Sequence, residues 1–443
     1  MVWWVSHPGR NYTLLTRRDG RGLKLWNIVR RPFILAGLTI VGLWLSVRIL
    51  WYRDSTPANL LLYPNSELIK GNVTVPYDAA VRLFDPPLRT RGRDIVDRNG
   101  KRTKLISVNW YGASDVLMVP GGLEVQHRAD IARVIRELGF NSVRLPYADE
   151  LVRRDPVIDG KHLAANQDLV GLRGLATYAA VVRALTAAGL ALIINNHITK
   201  ARWCCDGWPF DMGWKNNDIG LFCPLRQTEE DWIQDLLTVM EPHVDDQLVV
   251  GVDLRNEVRG VAGRWMWNSW ATAAEHASDR LHRLQPEWLM IVEGVQSAND
   301  LRGAKDRSVR LTRQNKVVYS SHVYGWSGWG SLAPYWYRGY KSFADDMDKN
   351  WEYLRKSGLA PVWVGEIGAP SSPSRRDYRY WRNMVKYLKE SDADFAYWAI
   401  NPRKPGTNDV ESYGLLHDDW QTPVYDYRLF DISKLRQINT VEQ

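Results

Sequence analysis

Cysteine is almost missing from this chain. Only Cys204, Cys205 and Cys223 occur in 443 residues, too few for a disulfide framework and without the paired spacing of a zinc site. In an oxidising compartment these three predict one bridge, from Cys204 or Cys205 to Cys223, with one thiol left over. A His-x-x-x-His helix is also lacking, which removes a common zinc-hydrolase signature, and no metal or other cofactor is expected. No internal repeat and no low-complexity tract is present, excluding solenoid and compositionally biased architectures. Phenylalanine is scarce, at eight residues against 22 tryptophans and 20 tyrosines. Rings with a polar tip suit surfaces that meet both apolar and hydroxylated partners.

Outside the N-terminus the chain also lacks net charge. Residues 1–53 hold nine Lys/Arg and one acid, which accounts for the whole formal charge of +8, and the remaining 390 residues carry 49 bases and 49 acids. A nucleic-acid partner is therefore not expected. The basic segment adjoins the most apolar run in the chain. Phe33 to Tyr52 is 20 residues with one charge, Arg48, about the 20 needed to span a bilayer, with Trp51 and Tyr52 at its interface. Residues 1–31 read as a basic cytoplasmic tail, 32–52 as a transmembrane signal anchor and 53–88 as a linker. Seven Lys/Arg precede the span, so the positive-inside rule makes this a single-pass type II membrane protein whose main domain is extracellular or lumenal. Asn72-Val73-Thr74 is then the usable glycosylation acceptor.

Residues 89–443 read as one α/β domain. Apolar, β-rich runs at 105–110, 142–146, 191–195, 248–254, 289–292, 317–321, 361–365 and 394–400 alternate with amphipathic helical stretches near 131–138, 175–185, 228–242, 267–284, 342–357, 376–389 and 429–438. Eight strands alternating with helices predict a (β/α)8 TIM barrel. The Asp97-Arg98-Asn99-Gly100 turn predicts a small hairpin over the closed end.

In such a barrel chemistry gathers at the C-terminal ends of the strands. The residues delivered there are Arg144, His197, Asn256, Glu257, His322, Tyr324, Glu366 and Trp398. Glu257 and Glu366 each end an apolar run. Two carboxyls from different strands facing one another can cleave a glycosidic bond, one protonating the leaving oxygen while the other attacks the anomeric carbon. Trp110, Trp203, Trp208, Trp214, Trp326, Trp329 and Trp336 follow strand ends and are candidate cleft walls. Asp115 reads as a surface carboxylate, with a distal-sugar contact as the alternative.

The ordered segments Val143-Arg144-Leu145-Pro146, Asn195-Asn196-His197-Ile198, Asp253-Leu254-Arg255-Asn256-Glu257, Val292-Glu293-Gly294-Val295-Gln296-Ser297, Ser321-His322-Val323-Tyr324, Val362-Trp363-Val364-Gly365-Glu366, Tyr397-Trp398-Ala399-Ile400-Asn401-Pro402 and Leu416-His417-Asp418-Asp419-Trp420 resemble glycoside hydrolase family 5, the retaining cellulase-type barrels. The resemblance spans about residues 100–425. It implies Glu257 as acid/base, with a raised pKa, and Glu366 as an ionised nucleophile. Arg144 and Tyr324 are its hydrogen-bond donors, Asn256 contacts the sugar 2-hydroxyl, His197 and His322 orient hydroxyls or the acid, and Trp398 stacks beneath the ring. The implied activity is a retaining endo-β-1,4-glucanase acting as a monomer on oligo- or polysaccharide. A membrane-anchored transglycosylase, an exo-β-glycosidase and a non-catalytic glycan-binding barrel are the alternatives. The chain departs from the family at Val258, where proline is frequent, and at Ile367 and Ala399-Ile400, where aromatics are frequent. These positions bear on sugar subsites rather than on the reacting groups.

Overall fold

The computed structural model describes residues 66–78, 83–203, 211–216, 225–259, 266–328, 334–407 and 409–436. The expected anchor at 32–52, the tail before it and all three cysteines lie outside these residues. Among the described residues no helix is long and apolar enough to cross a membrane.

Two departures precede the main sheet. The expected linker contains helix α1 (Ser66–Val73), which buries Ile69 and Val73. These two apolar residues stand one helical turn apart, too short a pattern to show as periodicity. The short antiparallel pair β1 (Arg89–Arg91) and β2 (Asp94–Val96) turns at Gly92 (φ +57°), ahead of the expected turn. At Asp97 the side chain accepts from the backbone N–H groups of Asn99 and Lys101, both at 2.9 Å. That local bonding closes a turn carrying only one bridge, Val96 to Arg102.

The remaining strands close a parallel barrel in chain order: β3 (Ile106–Asn109), β4 (Ser142–Ala148), β5 (Ala191–Ile198), β6 (Val249–Asp253), β7 (Leu289–Glu293), β8 (Val317–Val323), β9 (Val362–Ile367) and β10 (Asp394–Tyr397), which pairs back to β3. All eight expected strands are present, so the barrel architecture holds. Between them stand α2 (Arg128–Glu137), α3 (Gly174–Ala187), α4 (Glu229–Met240), α5 (Trp267–Leu284), α6 (Tyr340–Met347) and α7 (Arg375–Ser391), and α8 (Tyr427–Lys434) follows β10. Helices α4 and α7 begin with capping boxes, Thr228 with Asp231 and Ser374 with Asp377, which satisfy otherwise orphaned N–H groups.

Period-two alternation sorts each strand's side chains. On β5, Leu192 and Ile194 pack outward in the helix layer, while Ala191 and Ile193 point into a barrel interior shared with Val250, Ile291, Val318 and Trp363. Ile95 of β2, with Phe84 and Leu88, belongs to that interior cluster and closes its N-terminal end. Further along β5 the inward face turns polar at Asn195 and His197, so the apolar plug becomes the floor of a polar site.

Strand β9 breaks this alternation. Val362 and Val364 belong to the outer cluster and Trp363 to the inner one, so strict alternation would aim Glu366 at the helices. The register with both neighbours slips here: Ser321 pairs with Val364 but His322 with Glu366, and Phe395 pairs with Val364 but Tyr397 with Ile367. Gly365 is the extra residue of a β-bulge that turns Glu366 inward. A Cβ at Gly365 would lie 2.7 Å from Ser320 Oγ and 3.0 Å from His322 Nε2. Gly365→Ala is expected to destabilise the domain by about 1–3 kcal/mol in urea titration, as overpacking does, and to lower activity. An unchanged midpoint would contradict the close packing inferred at the bulge.

Candidate active site

The site is assembled around Arg144, whose side chain is fully buried in β4. Its Nε donates to Asp253 Oδ2 at 2.8 Å, one terminal nitrogen to Asn109 Oδ1 (3.0 Å) and Glu366 Oε1 (2.7 Å), and the other to Asn256 Oδ1 (2.7 Å) and Glu293 Oε1 (3.0 Å). All five N–H groups of the guanidinium fork are thus used. Three carboxylates meet this one cation, and stacking them without it would be prohibitive in so dry a place.

A second cation completes the cluster. His322 Nδ1 lies 3.2 Å from Glu257 Oε1 and 3.7 Å from Glu366 Oε2, and Nε2 lies 3.3 Å from Glu293 Oε1. Burial opposes its charge, but Glu293 and Glu366 outweigh that cost and raise it to about 10. Burial by itself would raise Glu293 too. Its pairing with His322 and Arg144, and the Glu257 N–H it accepts, instead pull it down to about 2. Asp253 goes the other way: burial, reinforced by Glu293, raises it well above the usual carboxylate range.

Both glutamates face Nδ1 of His322. Glu366 accepts from Arg144 on Oε1 and from the Tyr324 hydroxyl on Oε2 at 2.8 Å. Burial pushes its carboxyl up, while His322 and Arg144 pull it back. The expectation for Glu366 therefore needs correction: burial pushes its carboxyl up, because β9 carries it to 5% exposure. Glu257 occupies a left-handed backbone position (φ +45°), where its N–H donates to Glu293 Oε2 at 2.6 Å and its Oε2 accepts from Arg259 at 2.7 Å. For a residue with a Cβ that conformation is strained, and Glu293 helps hold it. One oxygen each of Glu257 and Glu366 lies within 4.8 Å of the other and of a His322 nitrogen. That trio has the spacing of a metal site, but His322 protonated on both nitrogens has no lone pair to offer.

Above this pair the cleft opens into a cavity of about 260 Å3 lined by His197, Asn256, Glu257, Tyr324, Glu366 and Trp398, among others. His197 Nδ1 lies 2.8 Å from Asn195 Oδ1. Burial and the nearby Arg144 hold His197 well below its ordinary value. A neutral ring that donates from Nδ1 to the Asn195 carbonyl keeps Nε2 as an acceptor. The ring lies nearly parallel to Trp398 at 5.6 Å, and Tyr111 stacks on Trp398 at 4.7 Å.

All eight residues singled out in the sequence meet here. Of the candidate tryptophans, Trp203 and Trp326 line the cleft. Trp110 and Trp214 are instead fully buried, one donating to the Gly121 carbonyl and the other packed against Trp270. Trp336 bonds Asp377 at 2.9 Å, while Trp208 and Trp329 lie outside the described residues. Asp115 is corrected from a surface position: it is buried and lines the cleft. Sequence reasoning did not assign Asp253, Glu293 or Arg259. Glu293 carried a readable signal, a carboxylate directly after the apolar run at 289–292.

A parallel barrel with a buried Arg–His–carboxylate cluster and an aromatic-walled cleft at its C-terminal face defines a carbohydrate-active enzyme. The cellulase family, glycosyl hydrolase family 5, matches residues 96–404, and the chain belongs to that family. It is 28% identical over 352 residues to an endoglucanase of Paenibacillus polymyxa, covering 75% of this chain and 83% of the relative. It is also 28% identical to the major extracellular endoglucanase of Xanthomonas campestris pv. campestris, over 74% of this chain and 67% of that one. Among solved structures, an endocellulase from Pyrococcus horikoshii in complex with cellotetraose superposes with a TM-score of 0.66 at 25% identity, covering 80% of this chain and all of that one. The protein is a glycoside hydrolase.

The cluster makes stability depend on pH in a defined direction. A histidine raised to about 10 in the fold, from 6.5, contributes stability that is complete below about 6.5 and lost as pH climbs through about 10. The midpoint of thermal unfolding is expected to fall from pH 7 to 10, and His322→Gln to flatten that decline. Parallel slopes for the two proteins would contradict a charged His322.

Proposed function

We propose that the chain is a retaining endo-β-1,4-glucanase in which Glu257 is the acid/base and Glu366 the nucleophile. The observation that carries this reading is the separation of the two carboxyls. Oxygens within 4.8 Å fall short of the roughly 6.5–9.5 Å that an inverting pair needs to seat a water, and suit direct attack by carboxylate. Glu366 is the better nucleophile because two donors, Arg144 and Tyr324, fix both its oxygens. Glu257 is the better acid because it sits at the cleft wall, where a leaving oxygen can reach it.

The steps follow from these positions. Glu366 attacks the anomeric carbon as Glu257 gives its proton to the departing oxygen, forming a glycosyl–Glu366 ester. Glu257 then takes a proton from water, which cleaves the ester and restores Glu366. Asn256, held by Arg144, accepts or donates to the 2-hydroxyl, and Trp398 supports the ring. The complex of a solved relative with cellotetraose and the endoglucanase relatives support a β-glucan substrate cut internally. We further propose that residues 32–52 anchor the enzyme in a membrane with the barrel on the outer or lumenal side.

Glu257→Gln and Glu366→Gln are each expected to lower kcat on an aryl β-cellobioside by at least about 1,000-fold, in line with loss of a reacting group. The anomer first released by the unmodified enzyme, read by proton NMR, should be β. An α-first product, or near-normal turnover in either variant, would overturn the assignment. For the anchor, the full chain should stay with membranes through carbonate extraction, and release into the supernatant would contradict it.

A further inference from the structure

Beyond residue 53 acids and bases balance, yet they are unevenly placed. Residues 89–104 hold seven Lys/Arg against Asp94 and Asp97, and residues 308–316 hold Arg310, Arg313 and Lys316 with no acid. Both segments lead into barrel strands, β3 and β8, and so lie at the closed end, opposite the cleft. They meet there. The Thr90 N–H donates to the Asn315 carbonyl at 2.8 Å, and an open hollow of about 430 Å3 is lined by Thr90, Arg310, Arg313, Asn315 and Leu359, among others.

Some of these cations are neutralised: Arg102 pairs with Asp394 at 2.8 Å, Lys104 with Asp392 at 2.6 Å, and Arg313 and Lys316 both with Glu287. Others are not. Arg89, Arg91, Lys101 and Arg310 are exposed, and none has a carboxylate within ion-pair distance among the described residues. A Cβ placed on Gly100 would lie 3.3 Å from Arg91 Nη1 and 3.8 Å from Arg89 Nη2, so both guanidiniums converge on the turn that ends at Lys101. Their field reaches inward: burial lowers the Lys316 ammonium first, Glu287 opposes it, and Arg313 and Arg89 lower it further. Two observations favour a lipid surface as the partner. Leu359, 56% exposed, lines the same hollow, and exposed apolar and basic side chains on one face suit headgroups above an acyl layer. The chain also enters the domain at this end, where the Val75 N–H donates to the carbonyl of Glu137, the last residue of α2, and Arg436 donates to the Val73 carbonyl. Residues 53–65, between the proposed anchor and α1, are 13 in number and span at most about 45 Å.

We propose that the closed end of the barrel is a docking surface for an anionic phospholipid bilayer, with Arg89, Arg91, Lys101 and Arg310 on the headgroups, so that the cleft faces away from the membrane. This rests on the membrane reading above and goes beyond it, because the contact belongs to the folded domain rather than to the anchor.

The test uses the full chain with vesicles of phosphatidylcholine alone or mixed with phosphatidylglycerol, and a membrane-impermeant acetylating reagent read by peptide mass spectrometry. Lys101 should be labelled at least about fivefold more slowly on the anionic vesicles, the worth of one charge near such a surface, and high salt should remove the protection. Lys341, at the mouth-side start of α6, should react alike on both. Arg89→Gln, Arg91→Gln and Arg310→Gln together should weaken the contact about 100-fold and abolish the protection, with turnover of a soluble aryl β-cellobioside unchanged. Equal labelling of Lys101 on the two vesicle types would overturn the proposal. So would protection by soluble polygalacturonate and not by vesicles, which would assign the patch to an acidic polymer. Flotation separates this surface from the anchor: if the anchor reading fails, the chain should still float with the anionic vesicles alone and lose that in the triple variant, whereas flotation with neither vesicle overturns both readings.

Discussion

One buried guanidinium governs this molecule. Arg144 spends every N–H it has on Asp253, Asn109, Glu366, Asn256 and Glu293, which come from four other strands or their ends. Removing such a cation would leave several buried carboxylates uncompensated, a change costing about 3–5 kcal/mol even for a single pair. The planar fork also fixes angles. Glu366 and Asn256 are aimed by the same terminal groups that neutralise their surroundings, so charge balance and geometry are one arrangement.

His322 extends that balance toward the cleft. Between Glu293 below and the Glu257–Glu366 pair above, it is held as a cation by its neighbours and supplies a proton-bearing nitrogen where a metal ion could otherwise have been accommodated. Glu293 in turn restrains the strained backbone of Glu257. Glu257 at the cleft wall is therefore positioned from beneath by a fully buried carboxylate, and the chain Arg144, Glu293, His322, Glu257 carries order from the dry floor to the wet opening.

Most of the fold could be read from the chain because the signals were local. Eight apolar runs with β-branched residues are visible without coordinates, and helices such as α5 announce themselves by spacing. The candidate site was legible for the same reason: His197, Asn256, Glu257, His322, Tyr324, Glu366 and Trp398 fall at or just past strand ends, and Arg144 lies within β4. What stayed hidden is non-local. The inward aim of Glu366 depends on a bulge at Gly365, and a one-residue register slip leaves no mark in composition. Ile69 and Val73 gain meaning only from α1 docking onto the domain. Asp115 looked like a surface carboxylate because nothing in its neighbourhood of sequence reveals that it is buried in the lining of the cleft. Among the tryptophans, Trp110 and Trp203 follow strands alike, yet one is core and the other cleft.

The central claim is that Glu366 forms the covalent bond to sugar while Arg144 and Tyr324 hold it. Incubation of the enzyme with an activated 2-deoxy-2-fluoro-β-cellobioside, which slows breakdown of a glycosyl–enzyme ester, followed by peptide mass spectrometry, tests it most directly. The account predicts one added disaccharide on the peptide containing Glu366. A label on Glu257 or Glu293, or inactivation without any covalent adduct, would contradict it.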